Sequence, residues 1–150
     1  MLSLTCEYAL RAMVFLARCE DEWPVSVKRV AEGTGIPQKY LSKILSDLAR
    51  VRLLAGSRGR HGGFRMVRSP KSISVFEVLA PFESLPADRR ACPFGNVECT
   101  DVRPCPAHDR WKLVVGAYER FLRETSVYDI SVKRDGKDGA AKRGRKRKLR

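Results

Sequence analysis

Apolar residues recur at every third or fourth position near the start of the chain. Ala9, Leu10, Met13, Val14, Leu16 and Ala17 fall on one side of a helix predicted over Thr5–Ala17. Glu20, Asp21, Trp23 and Pro24 break the period. Ser26 then suits an N-cap, because its hydroxyl can accept from the backbone N–H groups that a helix start leaves unpaired. Val27, Val30 and Ala31 give a short second helix that stops at the Gly33-Thr34-Gly35 turn, and Pro37 opens a third from Gln38 to Val51. Its apolar stripe is Tyr40, Leu41, Ile44, Leu45 and Leu48. Two short helices joined by a tight glycine-containing turn are the sequence form of a helix-turn-helix.

The period then changes. Leu53, Leu54 and Ala55 lead into SRGRHGG and FRMV, which predicts a β-hairpin with a cationic, glycine-rich tip, closed off by Pro70. A short helix is expected over Ser74–Pro81, with Val75, Phe76, Val78 and Leu79 apolar. A loop-like stretch follows. The last helix, His108–Thr125, lines up Trp111, Val114, Val115, Tyr118, Phe121 and Leu122. A helix of about eighteen residues, about 27 Å long, carries more apolar surface than one small head easily covers. That stripe predicts a homodimer, packing within the subunit being the other account. The expected fold is mainly α with a small β-hairpin wing: a winged helix-turn-helix plus a long C-terminal dimerisation helix. The expected divisions are a reading head over 1–82, a cysteine-rich loop over 83–107, the dimer helix and end of fold over 108–132, and a basic tail over 133–150.

Charge sharpens this division. The chain of 150 residues carries +13, and residues 133–150 alone hold ten Lys/Arg and two Asp, a net of +8. That tail has almost no apolar residues and cannot bury enough surface to fold, so it is expected to be a disordered basic extension, either a solubilising tail or a phosphate-backbone anchor. The remaining body is only moderately basic, so a nucleic-acid role must rest on where its charges sit. No apolar run is long enough for a membrane span, the start has no basic leader with a small-residue cleavage site, and a cytoplasmic location is expected. Five cysteines and that compartment argue against a disulfide framework. With two histidines and no P-loop, catalytic triads and nucleotide hydrolysis have no footing, and no enzyme activity is expected.

The charges sit where a duplex reader needs them. At the start of the third helix are Gln38, Lys39, Ser42 and Lys43. Tyr40 belongs to the apolar stripe, expected to pack inward, yet also joins this DNA-facing set, as does Ser26 at the preceding helix. A recognition helix uses its N-terminal polar residues on base edges. The predicted wing offers Arg58, Arg60 and His61 among glycines that let the tip approach phosphates or a minor groove. Double-stranded DNA is the expected partner.

Cys92, Cys99, Cys105 and His108 are spaced C-x6-C-x5-C-x2-H in the loop before the last helix. Soft thiolates with an imidazole suit an iron–sulfur cluster. The same donor set is also a zinc set, although the wide gaps fit paired zinc knuckles poorly. Without metal, three neighbouring thiols can act as a redox switch. Cys6 and Cys19 stand apart and are expected to be small buried apolar residues.

Taken together, EYALRAM, SVKRVAEGTGIPQKYLSKILSDLARVRLL, SRGRHGGFRMVRSP and the cysteines ending in CPAHDRW resemble the Rrf2 family of bacterial winged-helix regulators, over residues 1 to about 130. The resemblance is to the cluster-binding subset that includes the iron–sulfur regulator IscR and the nitric-oxide sensor NsrR. It implies a homodimeric repressor or activator on a palindromic operator, controlled by a 2Fe-2S or 4Fe-4S cluster that senses nitric oxide, redox state or iron–sulfur status. Cys92, Cys99 and Cys105 would be ligands, with His108 as the fourth, as in IscR-like members, or Glu7, where NsrR-like members use an acidic residue from the first helix. The first gap is six residues here and five in IscR-like members. The alternative is a cluster-free winged-helix repressor using its cysteines as a thiol switch or zinc site.

Overall fold

The computed structural model describes residues 2–84, 94–95 and 100–132. Cys92, Cys99 and the basic stretch 133–150 lie outside the described residues, as does much of the 83–107 loop. Helix α1 (Leu4–Arg18) is the axis of the fold. Ser3 caps it by accepting from the Cys6 N–H, and its buried face is Cys6, Ala9, Ala12, Met13 and Leu16, a spacing that keeps one side against the core. Helices α2 (Val27–Thr34) and α3 (Gln38–Arg50) pack on it. Ser26 caps α2 through the Arg29 N–H, and Gly35 ends it at φ 68°, a left-handed position that glycine occupies without a Cβ clash. In α3, Leu41, Ile44, Leu45 and Leu48 are buried. Tyr40 departs from its expected inward place and is 66% exposed. The four aliphatic residues already fill the seam toward the core, and Tyr40 lies off that seam toward solvent.

Strands β1 (Leu54–Ser57) and β2 (Gly63–Met66) form an antiparallel hairpin, with Leu54 opposite Met66 and Ser57 opposite Gly63. Val25 adds a third edge: it exchanges two 2.9 Å backbone hydrogen bonds with Phe64. The wing is thereby tied to the residue preceding the cap of α2. A capping box between Ser74 and Glu77 starts the short α4 (Val75–Leu79). Helix α5 (His108–Glu124) has 17 residues. A further helix, α6 (Val127–Ser131), follows with its own Ser126–Asp129 capping box. It turns the chain back onto α1, where Arg18 Nε donates to Ser131 O at 2.8 Å. The Val127 N–H donates to Ile73 O at 2.8 Å and the Val75 N–H to Thr125 O at 2.9 Å, so the end of the fold is stitched to the segment entering α4.

The core has two parts. The larger joins α1, α2, α3, the wing and Val127. The smaller consists of Cys6, Val75, Leu79 and Leu122, with Leu2, Leu10, Phe76, Phe82, Tyr118 and Ile130 packed around it. It clamps the later half of α5 to α4 and to the start of α1. Among the described residues, no helix is long and apolar enough to cross a membrane.

Candidate nucleic-acid interface and cysteine centre

At the first turns of α3, Gln38, Lys39, Tyr40 and Lys43 are all exposed. Ser42 is half-buried and donates its hydroxyl to Gln38 O at 2.9 Å, a local bond within the helix. Ser26 is exposed but its oxygen serves the α2 cap. The two serines thus have structural bonds that their place in the pattern did not reveal. The wing tip exposes Arg58, Arg60 and His61 around Gly59, whose φ is 106°, and a Gly62 N–H bond to Gly59 O at 2.9 Å tightens the turn. Arg65, exposed on β2 beside the tip, extends the cationic surface. Only its strand alternation could have singled it out, since Phe64 and Met66 face the other way.

On α5 the apolar residues divide between two surfaces. Trp111 is 40%, Val114 58% and Phe121 51% exposed, and Leu113, absent from the expected set, is 75% exposed. Val115 and Tyr118 are half-buried. Leu122 is 2% exposed and closes the smaller core, so it cannot serve an intersubunit contact. The physical reason is that α4 covers the side of α5 on which Leu122 lies, while Leu113, Val114 and Phe121 remain on the open side. Phe94 meets Trp111 edge-on, with centroids 5.8 Å apart.

Of the expected metal donors, the structure brings Cys105 and His108 into one turn, with the His108 N–H donating to Cys105 O at 2.9 Å. Cys105 is a half-buried free thiol. The His108 ring is largely covered, and its Nε2 lies 2.9 Å from Asp101 Oδ1. Asp101 also accepts from Lys112 Nζ at 2.7 Å; that bond first, and the one to His108 second, hold its carboxyl below the usual carboxylate range. Glu7 is exposed in the first turn of α1 and is not brought beside Cys105 or His108 within any described contact of the subunit. Cys6 and Cys19 are buried, and burial pushes both thiols up, keeping them protonated. Cys6 Sγ donates to Glu83 Oε2 at 3.3 Å, and the same oxygen accepts from the Ser3 N–H at 3.3 Å. Glu83 thus fastens the chain entering the cysteine loop onto the start of α1.

A helix-turn-helix, a glycine-rich cationic wing and a cysteine-containing turn at the head of a partly exposed helix suit a regulator, and a family model decides which. The model described as Rrf2, iron-dependent transcriptional regulator, matches residues 2–133. The chain belongs to the Rrf2 family. It is a helix-turn-helix transcriptional regulator and not an enzyme. This Rrf2 regulator is 30% identical to Protein rrf2 of Nitratidesulfovibrio vulgaris over 129 residues, covering 86% of this chain and 85% of that one. It is 32% identical over 131 residues to a Mycobacterium tuberculosis protein bearing the name of an HTH-type transcriptional regulator, covering 87% and 80%. Among solved structures, IscR of T. potens superposes with a TM-score of 0.67 at 25% identity, covering 87% of this chain and 85% of that one. CymR, the global cysteine regulator of B. subtilis, superposes with a TM-score of 0.72 at 23% identity, covering 87% and 95%, a likeness of fold.

Proposed function

We propose that this Rrf2 regulator is a homodimeric, operator-specific repressor whose DNA affinity is set by an iron–sulfur cluster held by Cys92, Cys99 and Cys105. The observation that carries the reading is the placement of Cys105 and His108 in a single turn at the head of α5, the helix whose open apolar side is the expected dimer contact. The donor set suits the group: a half-buried thiol and a covered imidazole lie together, and two further cysteines stand in the same loop. When bound, a 2Fe-2S or 4Fe-4S cluster supplies a cross-link among thiolates that oxidants, nitric oxide and iron shortage can remove.

The protein's own residues do the rest. Leu113, Val114 and Phe121 bury their exposed faces against a second copy, which fixes two reading heads at one spacing on a palindromic duplex. Lys39 and Lys43 with Gln38 and Tyr40 approach base edges and phosphates of the major groove, while Arg58, Arg60 and His61 reach the adjacent backbone or minor groove. Glu83 holds one end of the cysteine loop on α1 and the Cys105–His108 turn holds the other on α5. Ordering the loop therefore favours one arrangement of α1 against α5 and shifts the population of DNA-competent dimers.

The test is anaerobic reconstitution with iron and sulfide, visible absorption, and operator binding with and without the chromophore. Single Cys92→Ala, Cys99→Ala and Cys105→Ala variants are expected to lose the chromophore and the state-dependent part of DNA affinity. If all three keep the colour, the cluster assignment is wrong. A colourless protein with one zinc, or one whose affinity follows thiol oxidation alone, would establish the zinc or thiol-switch reading instead.

A further inference from the structure

A cleft of about 490 Å³ opens where the start of α1, one side of α3 and the chain leaving α4 come together. Tyr40, Lys43, Ile44 and Asp47 line it from α3, at the i, i+3, i+4 and i+7 spacing that keeps side chains on one side of a helix. Leu4, Thr5 and Tyr8 line it from the first turns of α1. Pro81 and Phe82 form the third side, where the Phe82 N–H donates to Leu79 O at 2.9 Å and holds the turn after α4. None of these residues belongs to α5, whose open side is the one proposed to meet a second copy.

The lining has the make-up of a small-molecule site. Such sites enclose about 300–1,000 Å³, with mostly apolar walls and a few polar groups that orient the ligand. Phe82 packs on both parts of the core and is a fixed wall, while Leu4 and Tyr40 are 60% and 66% exposed and leave apolar surface in water. The two charges of the lining are used differently. Lys43 and Asp47 stand one helical turn apart, yet they do not pair. Asp47 Oδ1 accepts from Arg50 Nη1 at 2.9 Å, whereas Lys43, among the described residues, has no hydrogen-bond or ion-pair partner. The cleft therefore presents an uncompensated cation beside the hydroxyls of Thr5, Tyr8 and Tyr40, together with a carboxylate that disfavours a second negative charge.

We propose that this cleft binds a small organic monocarboxylate with an aromatic or aliphatic body, its carboxylate on Lys43, and that such a ligand and DNA exclude one another. Lys43 and Tyr40 belong to the set proposed to approach the duplex, so a carboxylate on Lys43 withdraws a cation that the DNA would use. The regulator then has a second input, which acts on the reading head directly and needs no cluster. The exclusion rests on the DNA-reading set proposed above; the ligand site does not.

The experiment uses the full-length protein without a reconstituted cluster and phenylbutyrate as the probe, followed by calorimetry and amide NMR. Phenylbutanamide, its neutral counterpart, and para-carboxyphenylbutyrate, which adds a second carboxylate, test the charge preference. The probe is expected to bind with a Kd at or below about 1 mM, and each control about 10-fold more weakly. Lys43→Gln should bring the probe down to the affinity of its amide. Thr5→Trp, at an exposed position whose new ring fills the cleft, should abolish binding of all three; if that variant unfolds, Lys43→Gln decides. Saturating probe should lower operator affinity about 10-fold and reduce the slope of log affinity against log salt by about 1. A native protein that does not bind the probe at about 10 mM overturns the proposal. So does binding that the variants retain undiminished. A Thr5→Trp protein that sediments as a monomer where the native one is a dimer overturns it as well, because the cleft is then the seat of a second copy. Probe binding that obeys the charge preference but leaves operator affinity unchanged overturns the exclusion of DNA, and the ligand site stands.

Discussion

Gly63 is where the wing touches the reading head, and adding one methyl group there tests whether that contact holds the wing in place. An alanine Cβ would lie 2.3 Å from the Val25 carbonyl oxygen, 2.4 Å from its carbon and 2.8 Å from Ser26 N. These are backbone atoms, so no side-chain rotation relieves the overlap. The Val25–Ser26 segment must withdraw by about 1 Å to reach ordinary contact distances near 3.5 Å. That withdrawal stretches both 2.9 Å bonds between Val25 and Phe64, the only backbone link from the hairpin to this segment among the described residues. Overpacking costs about 1–3 kcal/mol, and weakening a pair of covered backbone bonds adds about 1 kcal/mol. Gly63→Ala should therefore lose about 2–4 kcal/mol, which for a domain of this size lowers the melting midpoint by roughly 10 °C. The measurement is chemical and thermal unfolding at fixed protein concentration, with operator affinity measured well below the midpoint. Because Ser26 caps α2 next to the displaced segment, operator affinity should fall as well. Stability within about 0.5 kcal/mol of native, the range of an inert surface change, would refute the account of the wing's attachment.

The two faces of α5 should respond differently to mutation. Leu122→Ala removes a side chain buried against Cys6, Val75 and Leu79 and should cost about 2–5 kcal/mol in unfolding experiments. Leu113→Glu, on the open side, should leave the subunit folded but shift the mass seen by analytical ultracentrifugation toward the monomer. At the wing tip, Arg60→Ala should weaken binding to operator and to unrelated DNA alike and reduce the slope of log affinity against log salt by about 1, read by fluorescence anisotropy over a salt series. Acid should loosen the fold through its capping boxes. Burial alone would raise the Glu77 carboxyl, but bonds from Ser74 and Arg68 outweigh it and hold it below the usual range, and Ser126 does the same for Asp129. A carboxyl depressed in the folded state contributes stability above its unfolded value, about pH 4, and loses it as the pH falls through the folded value. The melting midpoint should drop below pH 5, and Glu77→Gln should flatten that drop.

How much of this was legible depended on the length of each pattern. The first helix was expected over Thr5–Ala17 and runs over Leu4–Arg18; the last was expected over His108–Thr125 and runs over His108–Glu124. Both are long enough for an apolar stripe to repeat several times. Helix α6, with five residues, offers hardly more than one turn, so periodicity is silent there. Its Ser126-x-x-Asp129 start is a readable capping signal, but such a signal alone does not predict a helix this short. The Val25–Phe64 bridge was hidden because one residue between Pro24 and a helix cap makes no alternating pattern. A stripe also cannot say which side a neighbour covers: it groups Leu122, which is buried within the subunit, with residues of the open side and omits the exposed Leu113. The contact of Asp101 with His108 was hidden because it depends on two consecutive turns, which the cysteine spacing does not show.

Under the proposed function, the smaller core gives a signal at the cysteine loop a route to DNA without any ligand touching the reading helix. Cys6 on α1, Val75 and Leu79 on α4, and Leu122 on α5 meet there without solvent between them. Glu83 is hydrogen-bonded to the α1 end of that cluster, and burial, with Glu83 beside it, pushes the Tyr118 phenol up on the α5 end. Closely packed interiors shift as units and do not deform locally. A change in the loop therefore acts on α1 and α5 together. Helix α1 also packs directly on α3, so the helix that carries Lys39 and Lys43 shares its foundation with the smaller core. On the wing side Gly63, Val25 and Ser26 join the hairpin to α2, which also packs on α1. Both elements proposed to contact DNA are thereby coupled to α1, while the proposed partner subunit would meet α5. In that reading, the quantity a cysteine-loop signal would alter is the angle between those two helices, with the smaller core as the joint at which it is set.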